Sequence, residues 1–497
     1  MGNNIVLENL KPLDATFLAM QTDTAPVHVG AVLIYGNIPK SVSGASNYDS
    51  FSLMKALLEE RLLSVDKFTY KLVRFPMDLV GPVWTKDNNF NIDNHIVKSS
   101  LKDPCDDKAL SEFVSEIWET PLPANKPLWE FYLIDNYKQN RIAVVAKVHH
   151  SLIDGVSGAN LFAKLLDLDP NVKFVPKLNE KQSRVSKRWL MKTTGILKDA
   201  LLAPKLANQV AKGSASYFVN LPSSTFRVSK SMFSLISFYK SKSDNKPPTL
   251  FMAPKTSINK TVSKHRNFSF MTIKMDELFK IKTSYSVTIN DIVLTLCTNS
   301  LRKYLLYIND PNVKPLTALM PISVRGEKEK DLIENQVSAT VVYLPTDIED
   351  IESQLKFVST NATESKKLSS RVGDHLFLDI SSVLPLNLQT LMAKSVYKLI
   401  STNKANPPAN LIVTNVPGPQ FKLYSNSIPL TNIIPIGALG EGITLCFAIF
   451  SYDGNLQISL LADPDAIAYP EELIKYLKET FKILSKRTNA KLKDENS

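Results

Sequence analysis

Short apolar runs with strand spacing alternate with helical ones along most of the chain. In the first half, Gly30 to Tyr35, Glu130 to Ile134 and Arg141 to Val148 read as strands. Phe51 to Leu63, Leu110 to Trp118 and Ala159 to Leu168 carry the three-to-four-residue apolar repeat of amphipathic helices. The alternation stops near Asp169. From there to Pro254 the chain predicts a long crossover, with basic helical stretches such as Trp189 to Val210 and a Ser/Lys-rich loop around Lys240 to Pro248. It then resumes. Phe268 to Ile273, Leu316 to Leu319, Val337 to Leu344, Leu411 to Thr414, Thr444 to Tyr452 and Gln457 to Leu461 predict strands. Ile289 to Leu306 predicts an apolar helix, and Tyr469 to Leu484 a closing one.

At 497 residues the chain exceeds one ordinary core, so the pattern is expected to divide into two α/β domains. The boundaries follow the break in the pattern: an N-terminal domain over 1–172, a basic crossover over 173–254 and a C-terminal domain over 255–490. Apolar residues at 44% and charged residues at 22% are the mix of a folded protein rather than a disordered one.

The net charge of +11 is concentrated. Between Lys173 and Lys246 lie 15 Lys plus Arg against Glu180, Asp199 and Asp244, a local net of +12, which leaves −1 for the rest. Such a patch predicts a local contact with an anionic surface. It lacks any recognisable nucleic-acid-binding module, so nucleic acid is not expected as a partner. Cys105, Cys297 and Cys446 are far apart and odd in number, which predicts free thiols in a reducing compartment. No apolar stretch reaches the length of a spanning helix, and the opening residues carry no signal pattern; a cytoplasmic location is expected. The six histidines form no metal-ligand spacing, and no Gly-rich phosphate loop is present.

The chemistry concentrates in His149-His150-Ser151-Leu152-Ile153-Asp154-Gly155, between the apolar run ending at Val148 and the helical run from Ala159. A histidine at the end of a buried strand is held rigidly and can serve as a general base near neutral pH. Gly155 permits a tight reversal, and Asp154 can point back across it to fix the loop.

This stretch resembles the HHxxxDG motif of the CoA-dependent acyltransferase superfamily. Further blocks narrow the resemblance to the wax ester synthase/diacylglycerol acyltransferase family. They are Pro12 to Phe17 with Val27-His28-Val29-Gly30; Trp84, Asp87, Phe90 and His95; Pro127-Leu128-Trp129; Asn290-Asp291; Pro321 to Arg325; and Thr414 to Pro419. They run in the family's order over nearly the whole chain. Asn91 stands where Asp is usual, Glu334-Asn335 where Gly-Asn is usual, and Thr414 where Ser is usual.

The resemblance implies two chloramphenicol-acetyltransferase-like domains with mixed sheets, the histidine pair at their interface, and a tunnel reached by acyl-CoA and by the alcohol. It implies transfer of a long acyl chain from acyl-CoA, as co-substrate, to a fatty alcohol or diacylglycerol, with no permanently bound cofactor. His150, where the superfamily's HxxxDG begins, is implied as the base, with His149 supporting it. Asp154 is expected to hold the loop, with Arg325 as its partner. Two rival readings stand beside this one: acylation of another alcohol or an amine, and a catalytically silent lipid-surface protein.

Each remaining motif has two readings. Trp129 is either a core aromatic that positions the next strand or, with Pro127 and Leu128, a wall of the substrate channel. Asn290 and Asp291 are either the N-cap and first turn of the following helix or a brace for the site. The Asn415 to Pro419 segment reads as a rigid turn. The basic segment, with apolar residues such as Trp189, Leu190 and Phe218 among its lysines, is a solvated face, a docking surface for membrane or lipid droplet, or a contact for CoA phosphates.

Overall fold

The computed structural model describes residues 7–37, 50–74, 82–138, 141–153, 155–172, 225–231, 233–234, 237, 246–310, 313–323, 337–372 and 386–494. The strands are β1 (Leu7–Asn9), β2 (His28–Asn37), β3 (Tyr70–Val73), β4 (Val83–Lys86), β5 (Ile96–Ser99), β6 (Trp129–Tyr137), β7 (Arg141–His149) and β8 (Asn267–Lys274). They continue with β9 (Leu316–Ser323), β10 (Val337–Leu344), β11 (Leu411–Pro417), β12 (Tyr424–Ser425), β13 (Ile428–Ile436), β14 (Leu445–Tyr452) and β15 (Asn455–Ala462). The helices are α1 (Pro12–Met20), α2 (Ser50–Leu62), α3 (Asp107–Trp118), α4 (Gly155–Leu165), α5 (Met275–Tyr285), α6 (Ile289–Tyr307), α7 (Ile351–Val372), α8 (Leu386–Ser401) and α9 (Pro470–Asp494).

Two six-stranded mixed sheets form the frame. The first runs β12-β13-β2-β7-β6-β5 and the second β10-β9-β11-β14-β15-β8, with a three-stranded sheet β1-β4-β3 beside them. Most neighbours are antiparallel; β5 with β6, and β11 with both β9 and β14, are parallel. Every strand expected from the sequence is present, with its ends shifted by a few residues.

The order of the first sheet departs from a division into an N-terminal and a C-terminal unit. β13, from the last quarter of the chain, pairs with β2 from residue Ile436 opposite Gly30 to Leu430 opposite Tyr35. The chain thus returns to complete the first sheet before β14 enters the second. Helix α4 also differs from the expected Ala159 to Leu168, starting earlier and ending at Leu165. Beyond it the backbone turns extended so that Asp167 bridges to Tyr424 of β12. Arg61 fixes that turn by an ion pair to Asp167 at 2.5 Å. The basic stretch Trp189 to Val210, and the crossover from 173 to 224, lie outside the described residues.

β7 explains its own sequence. Eight of its nine residues are buried, Arg141 alone being partly exposed, so the continuous apolar run fits a central strand covered on both faces. One face packs with Leu33, Phe131, Leu152 and Tyr452. The other carries Ala143 and Val145 into a core shared with Trp118, Phe268, Ile436 and Leu461, which joins the two sheets. Lys147, on that second face, is 0% exposed and donates to the carbonyls of Ile117 (2.7 Å) and Thr120, closing the end of α3. Burial lowers its pKa to about 8. A Cβ on Gly30, opposite Lys147, would lie 1.9 Å from the Ala146 carbonyl oxygen and 2.8 Å from Trp118 Cη2, so only glycine lets β2 approach β7 there.

Candidate active site

The histidine pair sits where β7 ends. The His149 backbone N–H donates to the Leu128 carbonyl at 3.0 Å, so the Pro-Leu-Trp segment grips the end of β7 through its backbone. The His150 N–H donates to the Val27 carbonyl at 3.1 Å. Val27 holds φ at 47°, a left-handed conformation that is costly for a β-branched residue, and so turns its carbonyl toward that amide. Two different loops therefore fix two successive residues.

The rings then diverge. His149 is 2% exposed and lies on the shared-core face, opposite His28 in the register, with ring centroids 6.1 Å apart. Its Nδ1 accepts the Ser151 backbone N–H at 3.1 Å and meets Ser151 Oγ at 2.7 Å; its Nε2 reaches Gln21 Oε1 at 2.9 Å. Because Nδ1 accepts from an amide, the network assigns the ring proton to Nε2, which donates to Gln21. Both nitrogens are engaged. Burial, with lesser contributions from the charges of His150 and Arg74, depresses its pKa to about 3, so the ring is neutral and a poor proton acceptor.

His150, just past the strand, is half-buried. Its ring stacks on Phe17 of α1, centroids 4.0 Å apart and planes inclined by 21°. α1 thus does two things: its Phe17 fixes the plane of one ring, and Gln21 at its C-terminal end fixes the tautomer of the other. Phe17 and Ser151 lie inside the blocks Pro12 to Phe17 and His149 to Gly155, but nothing in either block marks them as site residues, and Gln21 lies outside both. The α1–histidine contacts span about 130 positions, and no local pattern marks them.

His28 is visible in the sequence only as part of a block. Its Nε2 accepts the Leu122 N–H at 3.3 Å, which leaves the buried Nδ1 as a donor with no partner among the described residues. Burial first, then the charges of Lys147, His149 and Arg266, lower its pKa well below the usual imidazole value. The Nε1 of Trp118 is likewise buried without a partner among them. Both rings line a recess with Val27, Arg266, Leu439 and Leu461, where the two sheets meet.

Trp129 is fully buried, donates Nε1–H to the Phe68 carbonyl at 2.8 Å and stacks on His95 at 4.4 Å, which in turn stacks on Phe90. Its environment is that of a core aromatic, and the Trp84 to His95 block is the wall behind it. Asn91, the departure from the usual Asp, accepts the Asp93 N–H at 3.0 Å and so caps the short turn Ile92–Asn94. In α6 the N-cap is Thr288 rather than Asn290. Asp291 closes a capping box, with its carboxylate on the Thr288 N–H at 2.9 Å and its own N–H on Thr288 Oγ1 at 3.1 Å. The Asn415 to Pro419 segment, expected as a rigid turn, instead continues β11 through Pro417 in parallel pairing with β14; just past it Gly418 leaves no room for a side chain, since a Cβ would stand 2.3 Å from Phe450 and from the Ser451 carbonyl. Asp154 and its expected partner Arg325 lie outside the described residues; Gly155 opens α4. Cys105, Cys297 and Cys446 are free thiols. Among the described residues no helix is long and apolar enough to cross a membrane, and no cluster of His, Cys, Asp and Glu could hold a metal.

Comparison with known proteins matches two family models: the wax ester synthase/diacylglycerol acyltransferase catalytic domain over residues 10–293, and the corresponding C-terminal domain over 333–485. A putative diacylglycerol O-acyltransferase of Mycobacterium tuberculosis is 28% identical over 93% of this chain and 87% of its own. An O-acyltransferase of Acinetobacter baylyi is 27% identical over 95% of this chain and 96% of its own. Among solved structures, the wax ester synthase/diacylglycerol acyltransferase of Marinobacter aquaeolei aligns with a TM-score of 0.65 at 20% identity, covering 97% of this chain and 99% of that one. The starter condensation domain of rhizomide synthetase, solved with C8-CoA, aligns at 0.57 and 12% identity, covering 97% and 95%. The fold is shared across these proteins.

Proposed function

The chain belongs to the wax ester synthase/diacylglycerol acyltransferase family, and from that premise we propose that it transfers a long-chain acyl group from acyl-CoA to the hydroxyl of a fatty alcohol or a diacylglycerol, with His150 as the general base. The reaction asks little of the protein because a thioester is already activated. His150 takes the proton of the alcohol as its oxygen attacks the thioester carbonyl carbon. The tetrahedral intermediate collapses, the carbon–sulfur bond breaks, and the imidazolium returns the proton to the departing thiolate, giving ester and free CoA. Base and acid are the same ring, so nothing is consumed beyond the two substrates.

The observation that carries the assignment is the division of labour within the pair. His149 is buried in the core, with both ring nitrogens in hydrogen bonds and a pKa near 3. His150 stands just past the strand, half-buried, with its ring laid flat on Phe17. A ring locked at both nitrogens in the core cannot shuttle a proton; its neighbour is the one placed to do so. We assign Asp154 to holding the loop that leads into α4, and the passage for acyl-CoA and alcohol to the junction of the two sheets.

The test incubates the purified protein with palmitoyl-CoA and a mixture of hexadecanol and dioleoylglycerol, with products separated by thin-layer chromatography. Wax ester, triacylglycerol or both are expected. His150→Ala should reduce turnover by roughly 10²–10⁴-fold, the usual worth of a general base. No ester from the wild-type protein, or full turnover by His150→Ala in a folded variant, refutes the reading.

A further inference from the structure

Helix α8 has two apolar faces, and among the described residues only one of them is covered. Its inner side packs on α1: Thr16 Oγ1 meets Gln389 Oε1 at 2.7 Å, and the Tyr397 hydroxyl donates to the Met20 carbonyl at 2.8 Å. Ala393, Val396 and Ile400 lie on that side and are partly or wholly buried. The outer side carries Leu388, Leu391, Met392 and Leu399, which are 41%, 61%, 49% and 44% exposed. Those positions recur at three, four and eleven residues, a continuous stripe along one side of a helix.

The stripe continues beyond the helix. Past its end, the chain at Pro408 accepts the Phe251 N–H at 3.1 Å, and Asn406 donates to the Phe251 carbonyl at 3.3 Å. This pins a loop that presents Leu250, Phe251 and Met252, all more than 40% exposed. Phe251 holds φ at 66°, a strained conformation for an aromatic residue that is kept even though its side chain is exposed. Met20, 37% exposed, stands near the same end, where its carbonyl accepts from Tyr397.

The segments that form the helix and the loop carry charge of one sign; the nearby acids are Asp23, three residues past Met20, and the buried Glu441 beside Tyr397. No Asp or Glu occurs between Leu386 and Gly440, or between Asn245 and Met275. Within those stretches Lys255, Lys260, Lys264, Lys394, Lys398 and Lys404 are exposed. An apolar stripe on α8 and the Leu250–Met252 loop, whose own segments carry lysines and no carboxylate, fits an anionic lipid surface, which takes the side chains into its acyl boundary and the ammonium groups at its headgroups. A protein partner would be expected to answer with acidic side chains; a second copy of the same lysine-bearing segments would repel itself.

We propose that the outer face of α8, together with the Leu250–Met252 loop and Met20, is the surface by which this protein docks on anionic lipid. The proposal deepens the acyl-transfer reading and rests on it for its purpose. α8 grips α1, and Phe17 of α1 stacks on His150, so docking sets the base one helix away from the layer in which its oily acceptors dissolve. It assigns docking to residues other than the basic segment 173–246, to which the charge pattern of the sequence points.

The test is flotation of the full-length protein with vesicles of phosphatidylcholine alone and of phosphatidylcholine mixed with phosphatidylglycerol. The wild-type protein should float with the mixed vesicles, less so at high salt, and weakly with phosphatidylcholine alone. The double variant Leu391→Glu/Met392→Glu should lose roughly a hundredfold in partitioning, since charges replace two side chains that enter the acyl boundary. Lys394→Glu/Lys398→Glu should lose binding to the mixed vesicles while leaving the weak binding to phosphatidylcholine unchanged. Both variants should keep the wild-type melting temperature and wild-type turnover of a short, water-soluble acyl-CoA with a short alcohol. Wild-type flotation by the Leu391/Met392 variant, or no flotation of the wild-type protein, overturns the proposal. Absence of ester from the wild-type protein with soluble substrates overturns the acyl-transfer reading instead and leaves the flotation result standing.

Discussion

Replacing His149 with glutamine separates the two histidines by a measurement that does not depend on turnover. Folded His149 has its pKa depressed to about 3 from the ordinary 6.5, because charging it would strand a cation in the core. A base whose folded pKa is depressed contributes stability that is present above the unfolded value and is lost as pH falls through 6.5 toward 3. At pH 7.5 the loss is under about 0.1 kcal/mol; at pH 5 the unfolded imidazole is almost fully protonated and the folded one is not, which costs about 2 kcal/mol. For a chain of this size that is a melting-temperature difference of about 2 °C. Scanning calorimetry of the wild-type protein and of His149→Gln at pH 7.5, 6.5, 5.5 and 5 should therefore show a steeper decline for the wild type by that amount. The glutamine side chain does not titrate, and whatever His28 contributes in the same direction is common to both proteins. If His150 is the base, as proposed, the pH profile of acyl transfer should keep its inflection in the variant. Equal declines in the two proteins would refute the buried, neutral state of His149, and a displaced inflection would refute its separation from catalysis.

Other substitutions test other parts of the framework. Gly30→Ala forces β2 away from β7 against the Ala146 carbonyl and Trp118, which should cost about 3 kcal/mol and reduce turnover with it, read by thermal melting and the ester assay. Thr288→Ala removes the N-cap of α6 and should cost about 1 kcal/mol with turnover unchanged; a collapse in turnover would mean that the Asn290-Asp291 segment serves the site directly. Trp129→Phe loses the hydrogen bond to Phe68, worth about 1 kcal/mol, and should leave product ratios between wax ester and triacylglycerol as they were.

The core strands were legible because their burial writes itself into composition: β7 is apolar from Ile142 to Val148 but for Lys147 and β14 from Leu445 to Phe450, and both stand where the apolar runs predicted. The position of the histidine pair was legible for the same reason, since His149 ends such a run. β13 was not. Pro429 and Pro435 interrupt its pattern, and proline argues against an interior strand; yet Pro435 opposes Ala31 in the ladder. α1 was also silent as a helix, being nine residues long and apolar nearly all round, with Pro12 at its start. α8 was not among the helices read from the sequence, and only its packing on α1 shows which of its apolar side chains are left exposed. Gln21 and Phe17 act across the fold, and no spacing in the chain connects them to residues 149 and 150.

The place of β13 in the first sheet has a consequence for how the protein is made. The flank of β2 facing β13 stays open until residue 436 has left the ribosome, 287 residues after His149. At ordinary elongation speeds that is roughly 15–60 s during which a bare strand edge is offered to any neighbouring chain. Expression of the first half by itself should give aggregates, however complete its catalytic motif.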